Sequence, residues 1–183
     1  MFKPLTLSAH VSYVHSGDPA VDWAALVAQE LDLDPELRDN AGIEAQAKEN
    51  VAVKRFMQKY VPAVFKDPSQ SLHLLKFKTG ETPTKYTIGV IPPDDMNRIS
   101  DECKADTKDV LSDQLRWRAF MSCLRGVENF GSEKIPTIDK GGVSYVDPTW
   151  IKQNFVRGLR AAALSVGHVA WQWNQISDVE IKN

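Results

Sequence analysis

The sequence is short of the residues that make metal sites and disulfide frameworks. Cys103 and Cys123 are its two cysteines, and neither stands close to a second cysteine or to a pair of histidines. Zinc sites and disulfide frameworks need several such side chains at defined spacing, so two isolated thiols favour a reducing compartment. We expect the protein to bind no metal and no cofactor.

Long hydrophobic runs and an excess of one charge are also missing. No stretch approaches the roughly 20 apolar residues of a membrane-spanning helix, and the first residues contain no apolar core of a signal peptide. The 22 basic and 24 acidic side chains nearly cancel, whereas nucleic-acid-binding and membrane-binding proteins usually carry excess positive charge. We therefore expect a cytosolic protein that binds neither nucleic acid nor membrane.

One acidic segment has the beginning of a calcium-binding loop. Asp32, Asp34 and Glu36 place carboxylates at alternate positions, as such a loop does. The loop also needs a glycine at its sixth position and a glutamate at its twelfth, where this sequence has Leu37 and Ile43. We interpret the segment as a solvated connector.

No group of residues has the spacing of a catalytic site. Gly141 and Gly142 lack the strand, the helix and the Lys-Ser or Lys-Thr pair of a phosphate-binding loop, so they predict a turn. His168 has no serine, cysteine or aspartate at a spacing typical of a triad. Asp94 and Asp95 follow two prolines, where carboxylates stabilise the start of a helix. We name no catalytic residue and expect no enzyme.

The hydrophobic pattern predicts an α+β fold. Apolar residues alternate with polar ones over residues 5–14, which is typical of a strand with one buried face. Residues 71–78 and 84–91 predict a β-hairpin joined by a five-residue loop. We expect a small antiparallel sheet of about three strands, covered by several helices. The 43% of apolar residues is enough for a core without metal or disulfide.

The helices are predicted from apolar residues at helical spacing. They span 23–31, 42–64, a segment opened by Pro92 and Pro93, and 108–125. Asp22 is placed to cap the first of these helices, and Pro62 should kink or end the second. We interpret residues 1–183 as a single α+β domain in which residues 23–66 form a candidate helical excursion.

The longest helical pattern lies near the C-terminus, from residue 147 to residue 176. Asp147 followed by Pro148 predicts its N-terminus. Gly158 and Gly167 weaken this helix, so each should mark a close approach of another helix. One continuous apolar seam is predicted along it: Phe155, Leu159, Ala162, Val166, Val169, Trp173 and Ile176.

Large aromatic side chains are the candidates for binding another protein. Trp171 belongs to a second apolar stripe outside the seam, and the helix over 108–125 also has two stripes. Exposed aromatic patches usually mark interfaces, where such side chains contribute most of the binding energy. Each could equally be an ordinary core residue. The candidate partner-binding residues are Trp117, Phe130, Trp150, Trp171 and Trp173.

Several stretches taken together resemble a known family. They comprise residues 3–7 with the strand that leads to 16–20, residues 83–88 with the following Pro92 and helix, residues 124–130, and residues 177–183. In this order they are similar to small proteins of tailed bacteriophages that are encoded near the tail genes, the tail assembly chaperones. The resemblance implies a small α+β domain that binds the tape-measure protein in the host cytoplasm, without catalysis or cofactor.

Two hypotheses of function follow. In the first, the chain is a bacteriophage assembly factor that binds another phage protein through its helix faces. In the second, it is a structural protein of the tail, neck or capsid that uses the same faces permanently in a ring or lattice. The partners are other phage proteins in both cases, with a homo-oligomer as a further option, and the second hypothesis places the chain in the virion.

Overall fold

The computed structural model describes residues 6–33, 45–103, 112–131, 134–155 and 159–181. These ranges form an α+β fold, as the sequence predicts. The elements in chain order are β1 (His10–Val14), α1 (Trp23–Leu33), α2 (Ala45–Lys66), α3 (Gln70–Leu74), β2 (Lys85–Gly89), α4 (Pro93–Glu102), α5 (Asp113–Cys123), β3 (Leu124–Glu128), β4 (Thr137–Lys140), β5 (Val143–Val146), α6 (Pro148–Asn154) and α7 (Arg160–Ile181).

The main sheet is antiparallel and has the strand order β1-β2-β3. Tyr86 in the central strand lies opposite Tyr13 on one side and Val127 on the other. Tyr13, Tyr86 and Ile88 are almost fully buried, because the helices cover one face of the sheet. The prediction of about three antiparallel strands is confirmed.

The third strand of this sheet is not the predicted one. The segment 71–78 was expected to pair with β2, but its first half belongs to α3, and Phe77 makes one isolated bridge to Val21. Local polar contacts favour the helix, since Asp67 accepts hydrogen bonds from the backbone and the hydroxyl of Ser69 just before it. Residues Leu124–Glu128 form the third strand instead, directly after α5.

The last strand of the main sheet contains a β-bulge. Thr87 lies opposite Gly126 and Ile88 lies opposite Leu124, so Arg125 is an extra residue with no partner across β2. A bulge of this kind leaves one residue out of the ladder and changes the direction of its side chain. The Arg125 side chain lines a cavity beside the main sheet.

The segment predicted as an excursion packs into the same hydrophobic cluster as the sheet. Phe56, Tyr60 and Val64 of α2 are buried in that cluster, and the Tyr60 hydroxyl donates to the carbonyl of Val14 at 3.2 Å. Asp22 caps α1 as predicted, accepting a hydrogen bond from the backbone N–H of Ala25 at 2.9 Å. The covered face of α2 ties residues 45–66 to the sheet.

Pro62 does not end α2, which continues to Lys66. A proline inside a helix removes one backbone hydrogen bond and crowds the preceding turn. Here the proline ring is exposed, while Tyr60 and Val64 on the opposite side are buried. Burial of that apolar face stabilises the helix, which therefore continues past the proline.

The predicted long helix near the C-terminus is two helices, α6 and α7, so the prediction of one continuous seam is wrong. Asp147 and Pro148 begin α6 as expected, and Asp147 accepts from the N–H of Thr149 at 2.7 Å. Phe155 ends α6 because its buried ring packs among other aromatic rings. Leu159, predicted within the seam, is 38% exposed.

The two long helical segments α5 and α7 pack closely at Gly167. A Cβ at this position would lie 2.8 Å from the carbonyl carbon of Arg116 and would collide with its oxygen. Gly167 therefore marks a close helix approach, as predicted, whereas Gly158 lies outside the described residues. Farther along α7, the buried amide of Asn174 accepts from the N–H of Ile91 at 2.9 Å and fixes the helix to the end of β2.

Residues 137–146 form a second, two-stranded sheet, which the hydrophobic pattern did not predict. Gly141 and Gly142 make its turn with φ values of 63° and 79°. Two successive residues with positive φ produce the tight turn that suits a hairpin, and glycine adopts that conformation without steric cost. The predicted turn is confirmed. The acidic segment from Asp34 onward lies outside the described residues.

Candidate functional site

Two of the five aromatic candidates, Trp171 and Trp173, lie in the hydrophobic core. Their exposed fractions are 3% and 9%. Helix α7 carries both of them and packs against α5, α2 and β2. Its second apolar stripe is thus covered by this chain itself, and neither side chain offers a surface to a partner in this fold. The alternative interpretation, an ordinary core residue, fits both.

The other three candidates are partly exposed and pack on the core from outside. Phe130 lies 5.5 Å from Trp150 and 5.2 Å from Phe155 between ring centroids, and Trp150 lies 5.9 Å from Phe155. Phe155 is fully buried. Phe130 and Trp150 therefore cover a buried ring and still contact solvent at their outer edges.

Trp117 belongs to the same chain of aromatic rings. Its ring centroid lies 5.9 Å from that of Phe120, which in turn lies 5.1 Å from that of Phe155. Edge-to-face and tilted contacts of this kind hold rings in fixed positions. The structure thus brings Trp117, Phe130 and Trp150 together around two buried phenylalanines, although they come from three different segments.

Trp117 also lines a surface groove of about 410 Å³ between α4, α5 and α6. We call it the Trp117 groove. Trp117, Met121 and Ile99 supply its apolar part, and Ile99 belongs to the core beneath. The groove is lined by Arg98, Ile99, Gln114, Trp117, Arg118, Met121, Ser122 and Lys152.

The charged side chains around the groove are mainly basic. Arg98 pairs with Asp95 at 2.5 Å, and Arg118 pairs with Glu102. Lys152 is exposed, and the Arg160 guanidinium lies 5.5 Å from the centre of the Trp117 ring. In the part of the chain that the structure describes, neither Lys152 nor Arg160 has a carboxylate partner. The groove therefore has an apolar floor and a positively charged rim.

Two side chains of types that often perform catalysis are packed against the core, Cys123 fully buried and His168 half-buried. The Cys123 thiol is completely buried, and burial raises its pKa to about 12, so it is protonated at neutral pH. The His168 ring packs on Phe65 at 4.8 Å between centroids. Burial lowers the pKa of His168, and the charge of Arg116 lowers it further. Both side chains contribute packing.

Sequence reasoning missed one residue of interest, Arg125. It lines a second cavity, of about 320 Å³, between the main sheet and the β4–β5 hairpin. The residues of this cavity come from β1 and the segment before it, β2, β3, β5 and the hairpin turn, so no local pattern unites them. The bulge that directs the Arg125 side chain depends on strand register, which the sequence alone did not reveal.

Within the described ranges, no three His, Cys, Asp or Glu side chains are grouped so that they could hold a metal ion. The helices in those ranges also lack the length and apolar character that crossing a membrane would require.

Comparison with known proteins adds no relative. No protein-family model matches the sequence, and neither curated proteins nor solved structures match it. The function must therefore be argued from the residues of the Trp117 groove and from the sequence resemblance given above.

Proposed function

We propose that this chain is a non-catalytic bacteriophage protein that acts in tail assembly by binding another phage protein. The Trp117 groove is the observation that carries the proposal. Protein-binding surfaces characteristically combine a partly apolar centre with a polar rim, and tryptophan and arginine are enriched at their energetic centres. The groove has both features, and it lies on three helices whose inner faces are held by the core.

The chemistry of the groove suggests the kind of segment that would bind there. An apolar side chain of a partner would cover Trp117 and Met121, and burying such surface contributes roughly 25 cal/mol per Å². Acidic groups beside that side chain would face Lys152 and Arg160, which have no carboxylate partner among the described residues. We therefore expect a partner segment with an apolar residue flanked by aspartate or glutamate.

The phage assignment depends on the sequence stretches that resemble tail assembly chaperones, and the tape-measure protein is the partner that this resemblance implies. The proposed location is the host cytoplasm during assembly. Phe130 and Trp150 would extend the contact surface beyond the groove, because both are partly exposed and belong to the same aromatic cluster as Trp117.

The first test is a binding assay between the purified chain and the tape-measure protein of the same phage. Trp117→Ala should weaken binding by about 2 kcal/mol, or roughly thirtyfold, as expected for an interface centre. Lys152→Glu should weaken it as well by repelling acidic groups. Lys54→Glu, an equally charged change on an exposed position of α2, is the matched control and should bind as the wild type does.

A folded Trp117→Ala protein with unchanged affinity would contradict the assignment of the groove as the binding surface.

Mass spectrometry of purified virions distinguishes the proposed role from its alternative. Absence from mature particles, with abundance in infected cells, supports an assembly factor. Presence at a fixed copy number would instead make the chain a structural component of the tail, neck or capsid.

A further inference from the structure

The Arg125 side chain reaches its position through two unusual features of the main sheet. It is the extra residue of the bulge in β3, so it does not follow the alternation of its neighbours. It then crosses the neighbouring strand at Gly89, where a Cβ would lie 2.7 Å from the guanidinium carbon and closer still to Nε. Any larger residue at position 89 would displace Arg125.

The guanidinium group is held by neutral groups. Nη1 donates to the carbonyl of Ser122 at 3.0 Å, and Nη2 donates to the carbonyl of Val90 at 2.6 Å. The guanidinium carbon lies 3.7 Å from the centre of the Tyr145 ring, in a cation–π contact. These contacts orient the group, and they leave three of its five N–H bonds without an acceptor in the described residues.

The charge of Arg125 has no carboxylate partner in the described ranges. Burial lowers its pKa, because a cation removed from water is destabilised. A second cation, Lys140, lies 5.8 Å from the centre of the same Tyr145 ring. The carboxylate of Asp139 lies opposite Ser144 across the hairpin, and it accepts the N–H of Gly142 at 3.0 Å. The charges of Lys140 and Asp139 cancel, so the charge of Arg125 itself remains as the net charge of the three side chains.

Neutral hydrogen-bonding groups surround this cation in the 320 Å³ cavity. Ser8, Thr87 and Ser144, which carry hydroxyl groups, line it. His10 contributes its imidazole, whose Nδ1 lies 3.1 Å from the carbonyl of Ser8, and that contact requires a proton on Nδ1. No aspartate or glutamate lines the cavity among its described residues. An oriented guanidinium with free donors, surrounded by hydroxyls, is the arrangement that binds oxyanions.

We infer that the cavity bounded by the main sheet and the β4–β5 hairpin binds an oxyanion, a phosphate or a carboxylate group, through Arg125. The free N–H bonds of Arg125 face the anion, and the hydroxyls of Thr87 and Ser144 donate the further hydrogen bonds. The bulge, Gly89 and the two backbone carbonyls preorganise the cation. This site is separate from the Trp117 groove and independent of the function proposed for it.

The test is a titration of the full-length protein with inorganic phosphate, followed by ¹H–¹⁵N NMR at constant ionic strength and pH. A parallel titration with acetate distinguishes a phosphate from a carboxylate site, and one with chloride measures the effect of salt. We expect saturable shifts of the backbone amides near Arg125, Gly142 and Ser144 and of the Arg125 Nε–H. Chloride should produce no saturable shift at these groups.

The variants test which side chains hold the anion. Arg125→Lys keeps a charge but loses the fork of donors, and it should weaken binding at least about tenfold. Ser144→Ala removes one exposed hydroxyl without touching the core and should weaken binding severalfold. Lys54→Met, the loss of an exposed charge on α2 away from both sites, is the control and should leave the affinity unchanged.

Two results would overturn the inference. One is the absence of saturable shifts with both phosphate and acetate. The other is unchanged affinity in a folded Arg125→Lys protein, which would make Arg125 a structural link between β3, β2 and the hairpin. If Arg125→Lys does not fold, Ser144→Ala decides, and unchanged affinity in that variant also counts against the site.

Discussion

The tryptophans of α7 are buried in the core, whereas those of α5 and α6 are partly exposed. Trp171 and Trp173 are enclosed, because α5, α2 and the end of β2 all pack on α7. Trp117 and Trp150 keep one exposed edge, because they lie on the outer side of a cluster whose centre is Phe155. An aromatic side chain thus contributes to folding or is available for binding according to how many elements cover its helix.

The largest expected effect is a difference in stability between a substitution of a buried tryptophan and one of a partly exposed tryptophan. Trp171→Ala should lower the free energy of unfolding by about 3 to 5 kcal/mol, since it leaves a cavity in the core. Trp117→Ala should lower it by about 1 kcal/mol, because that side chain is only partly buried. Chemical denaturation of both variants measures the difference. Equal losses would show that the distinction between the two helices is wrong.

A smaller effect is expected from replacing asparagines that make the same side-chain hydrogen bond in α7 and in α6. Asn174 in α7 and Asn154 in α6 each donate to the carbonyl four residues earlier, at 2.7 Å and 2.9 Å. Only Asn174 is buried and accepts from Ile91. Asn174→Leu leaves that N–H without an acceptor and should cost about 1 to 3 kcal/mol.

Asn154→Leu is the matched control for that substitution, because its side chain is exposed and its bond can be replaced by water. Its free energy of unfolding should stay close to that of the wild type. A loss as large as that of Asn174→Leu would show that the exposed end of α6 is as important to stability as the buried face of α7.

The smallest expected effect is a pH dependence of the free energy of unfolding, caused by His168 in α7. The pKa of His168 is lowered in the folded protein by burial and by Arg116. His168 therefore binds a proton more readily in the unfolded chain than in the folded protein. As the pH falls below about 6.5, protonation favours the unfolded chain and the free energy of unfolding decreases. His168→Gln should lose less stability than the wild type between pH 7 and pH 5. Trp117→Ala removes no titratable group, so its free energy of unfolding should change with pH as that of the wild type does. Identical slopes in all three proteins would contradict the assignment to His168.

The parts of the fold that could be predicted from sequence are those with a local cause. Asp22 and Asp147 cap helices because an aspartate side chain reaches the N–H groups two or three residues later. Gly141 and Gly142 form a turn because they adopt positive φ without cost. Each of these features depends on neighbours in the chain, so a short stretch is enough to specify it.

The errors arose where local polar contacts or contacts between distant segments outweighed the hydrophobic pattern. Residues 71–74 became helical beside a polar cluster, and the hydroxyl of Ser71 in this helix accepts the N–H of Val14 in β1 at 2.9 Å. The C-terminal helix is interrupted at Phe155, whose ring is held by Phe120 and Phe130. Periodicity reports which residues are apolar, but it does not report which segment will cover them.

The same limit applies to the candidate sites. Trp117, Phe130 and Trp150 could be named from sequence because large aromatic side chains are conspicuous, whereas their position around Phe155 could not. Arg125 could not be named, since the direction of its side chain depends on a bulge opposite Thr87 and on the absence of a side chain at Gly89.

The sequence by itself determined the α+β class, the starts of α1, α4 and α6 and the hairpin turn, because capping, backbone conformation and hydrophobic spacing act over a few residues. The tertiary structure alone decided which tryptophans are core, where the last helix breaks and how Arg125 is directed. Those outcomes depend on burial and strand register, and both are set by segments that lie far apart in the chain and meet only in the folded protein.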